Sequence, residues 1–346
     1  MDKRVIFAVA GSGKTTYIVN SLTADKRSLI VTYTNSNFDN LTQKITTKYG
    51  GAWPENITLM TFFQFLYRFC YKPFLSDRCG ARGIIYEPNP IRTLKQTQKA
   101  YYLTRTDYFY SNRLSLFLDK AGIMSDIRNR IETYFDEFII DEVQDISGRD
   151  FSFLEQLMET SINMLFVGDF FQHTYNTSLD GNVNKNLFED PKKYMKRFTD
   201  KGVTPDTTTL LNSWRCSRTI CDYISTNLGI SISSNRIDDT VIQFVSDPVE
   251  IGRILCDESI VKLHYQNSAK YGSGHKNWGD TKGEDCYGDV CVMLNKGTMQ
   301  KYKTGKLSEL APSTRNKLYV AITRARENVY LVSEYLKMKL MLFCVV

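Results

Sequence analysis

Ligands for a metal are scarce in this chain, and so are the marks of export or membrane insertion. Its 346 residues include three histidines and eight cysteines, and no two cysteines form a CxxC pair. That argues against a zinc site, which draws on closely spaced thiolates and imidazoles. Nothing resembles a signal peptide, so the even cysteine count is not read as a disulfide framework. The longest late apolar run, LMLFCVV at 340–346, is too short to span a bilayer. The expectation from these absences is a reduced, cytoplasmic protein with no membrane partner.

What is present suits a soluble α/β protein. The length corresponds to roughly two domains. Apolar residues make up 42% of the chain and charged residues 24%, enough for sizeable cores under an ordinary surface. The formal charge of +6 permits a polyanionic partner without demanding one. Phenylalanine and tyrosine number 20 and 21; most belong in the core, and any exposed rings are free to stack on bases.

Three apolar runs end in polar motifs. The first, VIFAV at 5–9, reads as a buried strand, and TTYIVNSL at 15–22 as the helix after it. Between them AGSGKT forms a turn whose backbone N–H groups, with the helix N-terminus, suit an anion. Gly11 and Gly13 let the chain bend around phosphate, Lys14 reaches the β- and γ-phosphates, and the Thr15 hydroxyl suits magnesium. Ser12 and Thr16 complete the candidate nucleotide contacts. The general pattern has glycine where Ala8 stands. The second motif, FIIDEVQD at 138–145, sets Asp141 and Glu142 at a strand's C-terminal end, the edge that faces the ligand crevice in an open α/β sheet. Asp141 is placed to hold the metal and Glu142 to activate water. Two solvated carboxylates in a turn would leave unexplained why four polar residues directly follow an apolar strand. The third is MLFVGDFFQHTY at 164–175, where the Gln172 amide can donate to a γ-phosphate while its carbonyl accepts from water.

Together these motifs resemble superfamily 1 helicases of the UvrD/Rep/PcrA type. The resemblance implies two RecA-like P-loop domains with parallel sheets, ATP and Mg2+ in the cleft between them, and movement along single-stranded nucleic acid. Gln144 and Asp145 match that family's interdomain-coupling positions, and Tyr175 closes its third motif as a nucleic-acid contact. VTYTNSNFDNL at 31–41 resembles its backbone-contacting segment, with Thr34 and Asn35 as contacts. TFFQFLYRF at 61–69 resembles the next strand-contact motif, through Thr61, Phe62 and Phe63, the two rings packing or stacking. In LLNSWRCS at 210–217, Arg215 takes the γ-phosphate position and Trp214 that of the adenine-stacking aromatic. GDTKGEDCYGDVCVML at 279–294 resembles the fifth motif. It carries Thr281 as a strand contact, Lys282 and Gly283, and Asp285 where a ribose-contacting glutamate usually stands. Here EDC replaces the hydrophobic residue, glutamate and phenylalanine that the family favours. LYVAITRARENVYLV at 318–332 is the sharpest match, with Arg324 as arginine finger. Cations at these places stabilise the charge that spreads over a transferring phosphoryl group. Few residues precede the first strand, so no upstream glutamine is expected to read adenine, and discrimination between ATP and GTP is expected to be modest.

The resemblance sets the first RecA-like domain at 1–70 and 131–195, a small, mostly helical insertion at 71–130, and the second RecA-like domain at 196–346. In the insertion, Lys95, Lys99 and Arg105 are phosphate contacts or members of a solvated helix face, with equal weight. The charged DPKKYMKRFTDKGVTPD stretch at 190–206 reads as a linker, and KYGSGHKNWGD at 270–280 as a mobile loop near the strand. The stretch between Arg215 and Thr281 is too short for the large second insertion of the bigger relatives. The expected activity is ATP-dependent translocation or unwinding on single strands, DNA rather than RNA and 3′ to 5′, beside replication, repair or recombination proteins. The alternative is a nucleic-acid-stimulated regulatory or loader ATPase that does not itself unwind duplex. A kinase or GTPase does not account for DEVQD followed by two arginines.

Overall fold

The computed structural model describes residues 1–174 and 183–335, and the chain folds as two compact units. One comprises Met1–Ile6, Lys14–Gly168 and Asn176–Asp206; the other comprises Phe7–Gly13, Asp169–Tyr175 and Thr207–Val346, each only over its described residues. Both are built on parallel sheets, so the α/β class expected from the sequence is what the chain adopts.

The strands of the first unit are β1 (Lys3–Phe7), β2 (Ser28–Thr32), β3 (Ile57–Thr61), β4 (Gly83–Ile85), β5 (Tyr108–Tyr110), β6 (Glu137–Asp141), β7 (Asn163–Gly168) and β8 (Thr204–Asp206). Six of them form one sheet in the order β3-β2-β6-β7-β1-β8. All five residues of β2 are buried, as expected for a strand covered on both faces. Because β6 and β7 run parallel, Asp141 and Gly168 end at the same edge. The helix Lys14–Ser21 buries the adjacent Ile18 and Val19, and the helix Asn35–Lys48 buries Leu41 and Ile45, one helical turn apart. Residues 71–130 hold the helices Lys72–Cys79 and Ser111–Lys120 and the parallel β4/β5 pair. There Tyr71, Tyr102, Phe109 and Phe117 pack ring against ring.

The 190–206 stretch is not a linker. Asp190 accepts from the N–H groups of Lys192 and Lys193, Pro191 opens the helix Pro191–Thr199, and β8 pairs with β1. Its charged residues hid a buried stripe: Tyr194 and Phe198 lie one turn apart and pack on Phe151.

In the second unit the strands are β9 (Asn212–Ser213), β10 (Ser233–Ser234), β11 (Ile242–Val245), β12 (Val261–His264), β13 (His275–Asn277), β14 (Val290–Leu294) and β15 (Val329–Ser333). The main sheet has the order β11-β15-β14-β12-β13, with every neighbouring pair parallel. The helices Arg218–Leu228 and Pro312–Ile322 contribute Ile220, Ile224, Leu318 and Ile322 to its core. The 270–280 segment also departs from expectation. It supplies β13, and Trp278 is fully buried, its indole N–H donating to the Leu263 carbonyl at 3.0 Å. A tryptophan seated in the core ties down a glycine-rich stretch. Among the described residues, no helix is long and apolar enough to cross a membrane.

Candidate functional site

In the first unit, Lys14 is the first residue of its helix and is nearly buried. Its ammonium lies 3.4 Å from a carboxylate oxygen of Glu142, just past the end of β6. Glu142 takes left-handed backbone, φ 56°, uncommon for a residue with a side chain and frequent where a site stores strain. Its other carboxylate oxygen accepts from the Gln144 amide. Asp141 is buried, and its Oδ1 has no hydrogen-bond partner among the described residues. Burial, then the Glu142 carboxylate, raise its pKa well above the usual carboxylate range, against the pull of Lys14. Gly168 makes this packing possible: a Cβ there would stand 2.2 Å from Gln144 Oε1 and 2.9 Å from Val143 Cγ1. Thr15 follows Lys14 on the helix and is half-buried, while Thr16 is exposed and accepts from the Lys44 ammonium at 2.8 Å.

The turn that leads into that helix folds with the second unit. Gly11 and Gly13 take φ values of 69° and 86°, which only glycine adopts without strain. At Gly11 the demand is also steric, since a Cβ would meet Arg215 Cβ at 2.6 Å. The Trp214 N–H donates to the Gly11 carbonyl at 2.8 Å. The Trp214 indole stays 66% exposed beside Gly13, an open face on which a base can stack. Ser12 is buried, and its hydroxyl has no partner among the described residues. Gln172 is buried in the short turn after Asp169, and Asp169 accepts from the Phe171 N–H.

Both arginines are anchored by the segment 281–285. Arg215 Nε donates to Asp285 Oδ1 at 2.6 Å, so the carboxylate expected at a ribose is engaged with a guanidinium. Arg324 is 1% exposed and donates to the carbonyls of Thr281 (3.1 Å), Glu284 (2.8 Å) and Val320 (3.3 Å). Burial, then the positive charge of Arg215, push its pKa down to about 10. Gly283, with φ 85°, turns the chain between these acceptors.

The expected nucleic-acid contacts divide. Thr34 and Asn35 are exposed at the N-terminus of the helix Asn35–Lys48, where the Thr34 hydroxyl caps the Asn37 N–H. Lys95 and Lys99 are exposed, and Lys99 pairs with Asp107 at 2.8 Å. Three of the expected contacts are buried. Phe62 is 2% exposed and stacks on Tyr33, so its ring is a packing element. The Thr61 hydroxyl is engaged in a capping box with Gln64. Thr281 is fully buried, and its hydroxyl donates to the Trp278 carbonyl at 3.0 Å. Phe63 is half-buried, edge-on to Tyr86. Tyr175 lies outside the described residues.

Two site residues escaped the sequence reading. The Tyr319 hydroxyl accepts from the Ala10 N–H at 2.8 Å and donates to Asp169 Oδ2 at 3.0 Å, with the ring fully buried. Asn316, one turn earlier on the same helix, donates to the His173 carbonyl at 3.1 Å. Tyr319 stands inside the sharpest motif, yet an apolar-looking LYVAI run signals only core. Its partners are remote in sequence.

Residues 2–178 match the family model described as AAA domain. Among solved structures, the chain is similar to a crystal structure of Arterivirus nonstructural protein 10, a helicase, with a TM-score of 0.50 and 15% identity, covering 97% of this chain and 61% of that one. A complex of Arterivirus nonstructural protein 10 with DNA gives a TM-score of 0.51 at 16% identity, covering 98% and 63%. The fold is thus the helicase-like one of these structures, and the chain spans about three-fifths of their length. No curated protein matches the chain.

Proposed function

Since the chain belongs to the AAA domain family, we propose that it is a magnesium-dependent ATPase of the UvrD/Rep/PcrA-like superfamily 1 kind that moves 3′ to 5′ on single-stranded nucleic acid, DNA in the first instance. The observation that carries this reading is the meeting of Lys14 with Asp141 and Glu142, residues far apart in sequence whose types match a phosphate cradle and a hydrolytic strand end. The Lys14 ammonium now faces Glu142; with a triphosphate bound it serves the β- and γ-phosphates and leaves the carboxylate to activate water. The unpartnered Oδ1 of buried Asp141 fits a metal ion, and Thr15 and Asp141 are the residues that would hold Mg2+. The ion would neutralise charge on the transferring phosphate. Arg215 and Arg324 supply further cations for that charge, and Trp214 an open ring for the base. The solved DNA complex of a structural neighbour supports nucleic acid as the partner.

ATP turnover by the full chain, with and without single-stranded DNA or RNA, is the first test. Stimulation by a strand is expected, and turnover indifferent to both would count against a motor. The second uses streptavidin on biotinylated single strands. A 3′-to-5′ motor clears the block from the 5′ end, and clearance only from the 3′ end would reverse the polarity. Stimulation without displacement or unwinding would favour the regulatory ATPase.

A further inference from the structure

The two arginines are held in the same manner. Arg215 gives Nε to Asp285 and Nη1 to the Thr323 carbonyl (3.2 Å). Arg324 gives Nε to the Val320 carbonyl and Nη1 to those of Thr281 and Glu284. In both, Nη2 makes no hydrogen bond among the described residues. Two nitrogens of each guanidinium are thus spent on fixed acceptors and one is left over.

Most of those acceptors sit on one short segment, and Asp285 provides its side-chain contact. Each Asp285 oxygen takes one guanidinium, Arg215 on Oδ1 and Arg326 Nη2 on Oδ2 at 3.0 Å, while Arg326 Nε bonds the Asp285 carbonyl. The mount is itself tied down. Glu284 pairs with Lys276 at 2.5 Å and accepts from the Tyr287 hydroxyl, and Thr281 is hydrogen-bonded to the carbonyl of buried Trp278. The carboxylate is 49% exposed, so as a lone surface pair it would contribute little to stability. Arg215 is only 11% exposed, and a charge-assisted bond to its Nε fixes the plane of the guanidinium. A finger acts through orientation, and displacing a catalytic group by about 1 Å can lower a rate by about 10²-fold.

We infer that Asp285 is a positioning residue for hydrolysis: its carboxylate orients Arg215 so that Nη2 is available to the γ-phosphate. This rests on the ATPase reading above and gives Asp285 a role through Arg215 in place of a ribose contact.

The test compares full-length wild type, Asp285→Asn, Asp285→Glu, Arg215→Ala and the Asp285→Asn/Arg215→Ala double variant in strand-stimulated ATP turnover. Affinity for a fluorescent ADP is measured alongside. Asp285→Asn is expected to lower kcat roughly 10- to 100-fold with KM and ADP affinity held, because only the triphosphate meets Arg215. Asp285→Glu, which keeps the charge, is expected to recover part of the loss. The double variant is expected to be no slower than Arg215→Ala, since Asp285 acts through that arginine. Unchanged kcat in Asp285→Asn, weakened ADP binding with kcat retained, or additive losses in the double variant would each overturn the inference. No ATP turnover by wild type, or an Arg215→Ala variant as fast as wild type, would overturn the ATPase reading or the Arg215 role beneath it.

Discussion

Glu142 shows how much one residue concentrates here. Its left-handed backbone is of a kind that costs about 1–3 kcal/mol, and it is held on two sides, by the Lys14 ammonium and by the Gln144 amide. Such a carboxylate is oriented before substrate arrives. Glu142→Gln keeps size and shape but cannot take a proton, so ATP should still bind while turnover falls by about 10²-fold or more. Lys14→Ala should instead abolish tight nucleotide binding. Titration of a fluorescent triphosphate analogue beside steady-state turnover separates the two, and a Glu142→Gln variant with wild-type kcat would remove it as the base. Tyr319 makes a second prediction. Phenylalanine there removes the acceptor of the buried Ala10 N–H and one donor to the buried Asp169 carboxylate, a loss of about 1–3 kcal/mol. Urea denaturation of Tyr319→Phe reads it directly, and an unchanged midpoint would mean that both groups find other partners.

At the scale of elements, the ends of parallel strands do most of the positioning. β6 delivers Asp141 and β7 ends in Gly168 at the same edge, where the two chain ends pack too closely for any side chain at 168. Gly168→Ala is therefore expected to destabilise the first unit by about 1–3 kcal/mol and to lower kcat, because Gln144 must move and Glu142 with it. Thermal unfolding and turnover should fall together; a variant with normal kcat would show that Gln144 does not orient Glu142. These strands were legible because apolar runs ending in carboxylates or glycine carry their own signal. The helix Pro191–Thr199 and the strand His275–Asn277 were not. In one, lysines masked a buried stripe of two aromatics; in the other, glycines masked a core tryptophan.

For the whole molecule, the formal charge of +6 and the exposed Thr34, Asn35 and Lys95 suit a partner gripped by its phosphates. Affinity for a single strand should fall linearly on a log–log plot against salt, by about 0.7 per phosphate neutralised. Binding by fluorescence anisotropy across a salt series checks this, and a flat response would point away from phosphate contacts. The α/β class, the glycine turn ahead of Lys14 and the adjacent pair Asp141 and Glu142 followed from sequence alone, because each depends on residues adjacent along the chain. Whether Phe62 and Thr281 face a strand or the core, what holds Arg215 and Arg324, and why Tyr319 is a tyrosine depended on partners distant in sequence. Burial and hydrogen-bond partners are properties of the packed chain, so only the tertiary structure decided them.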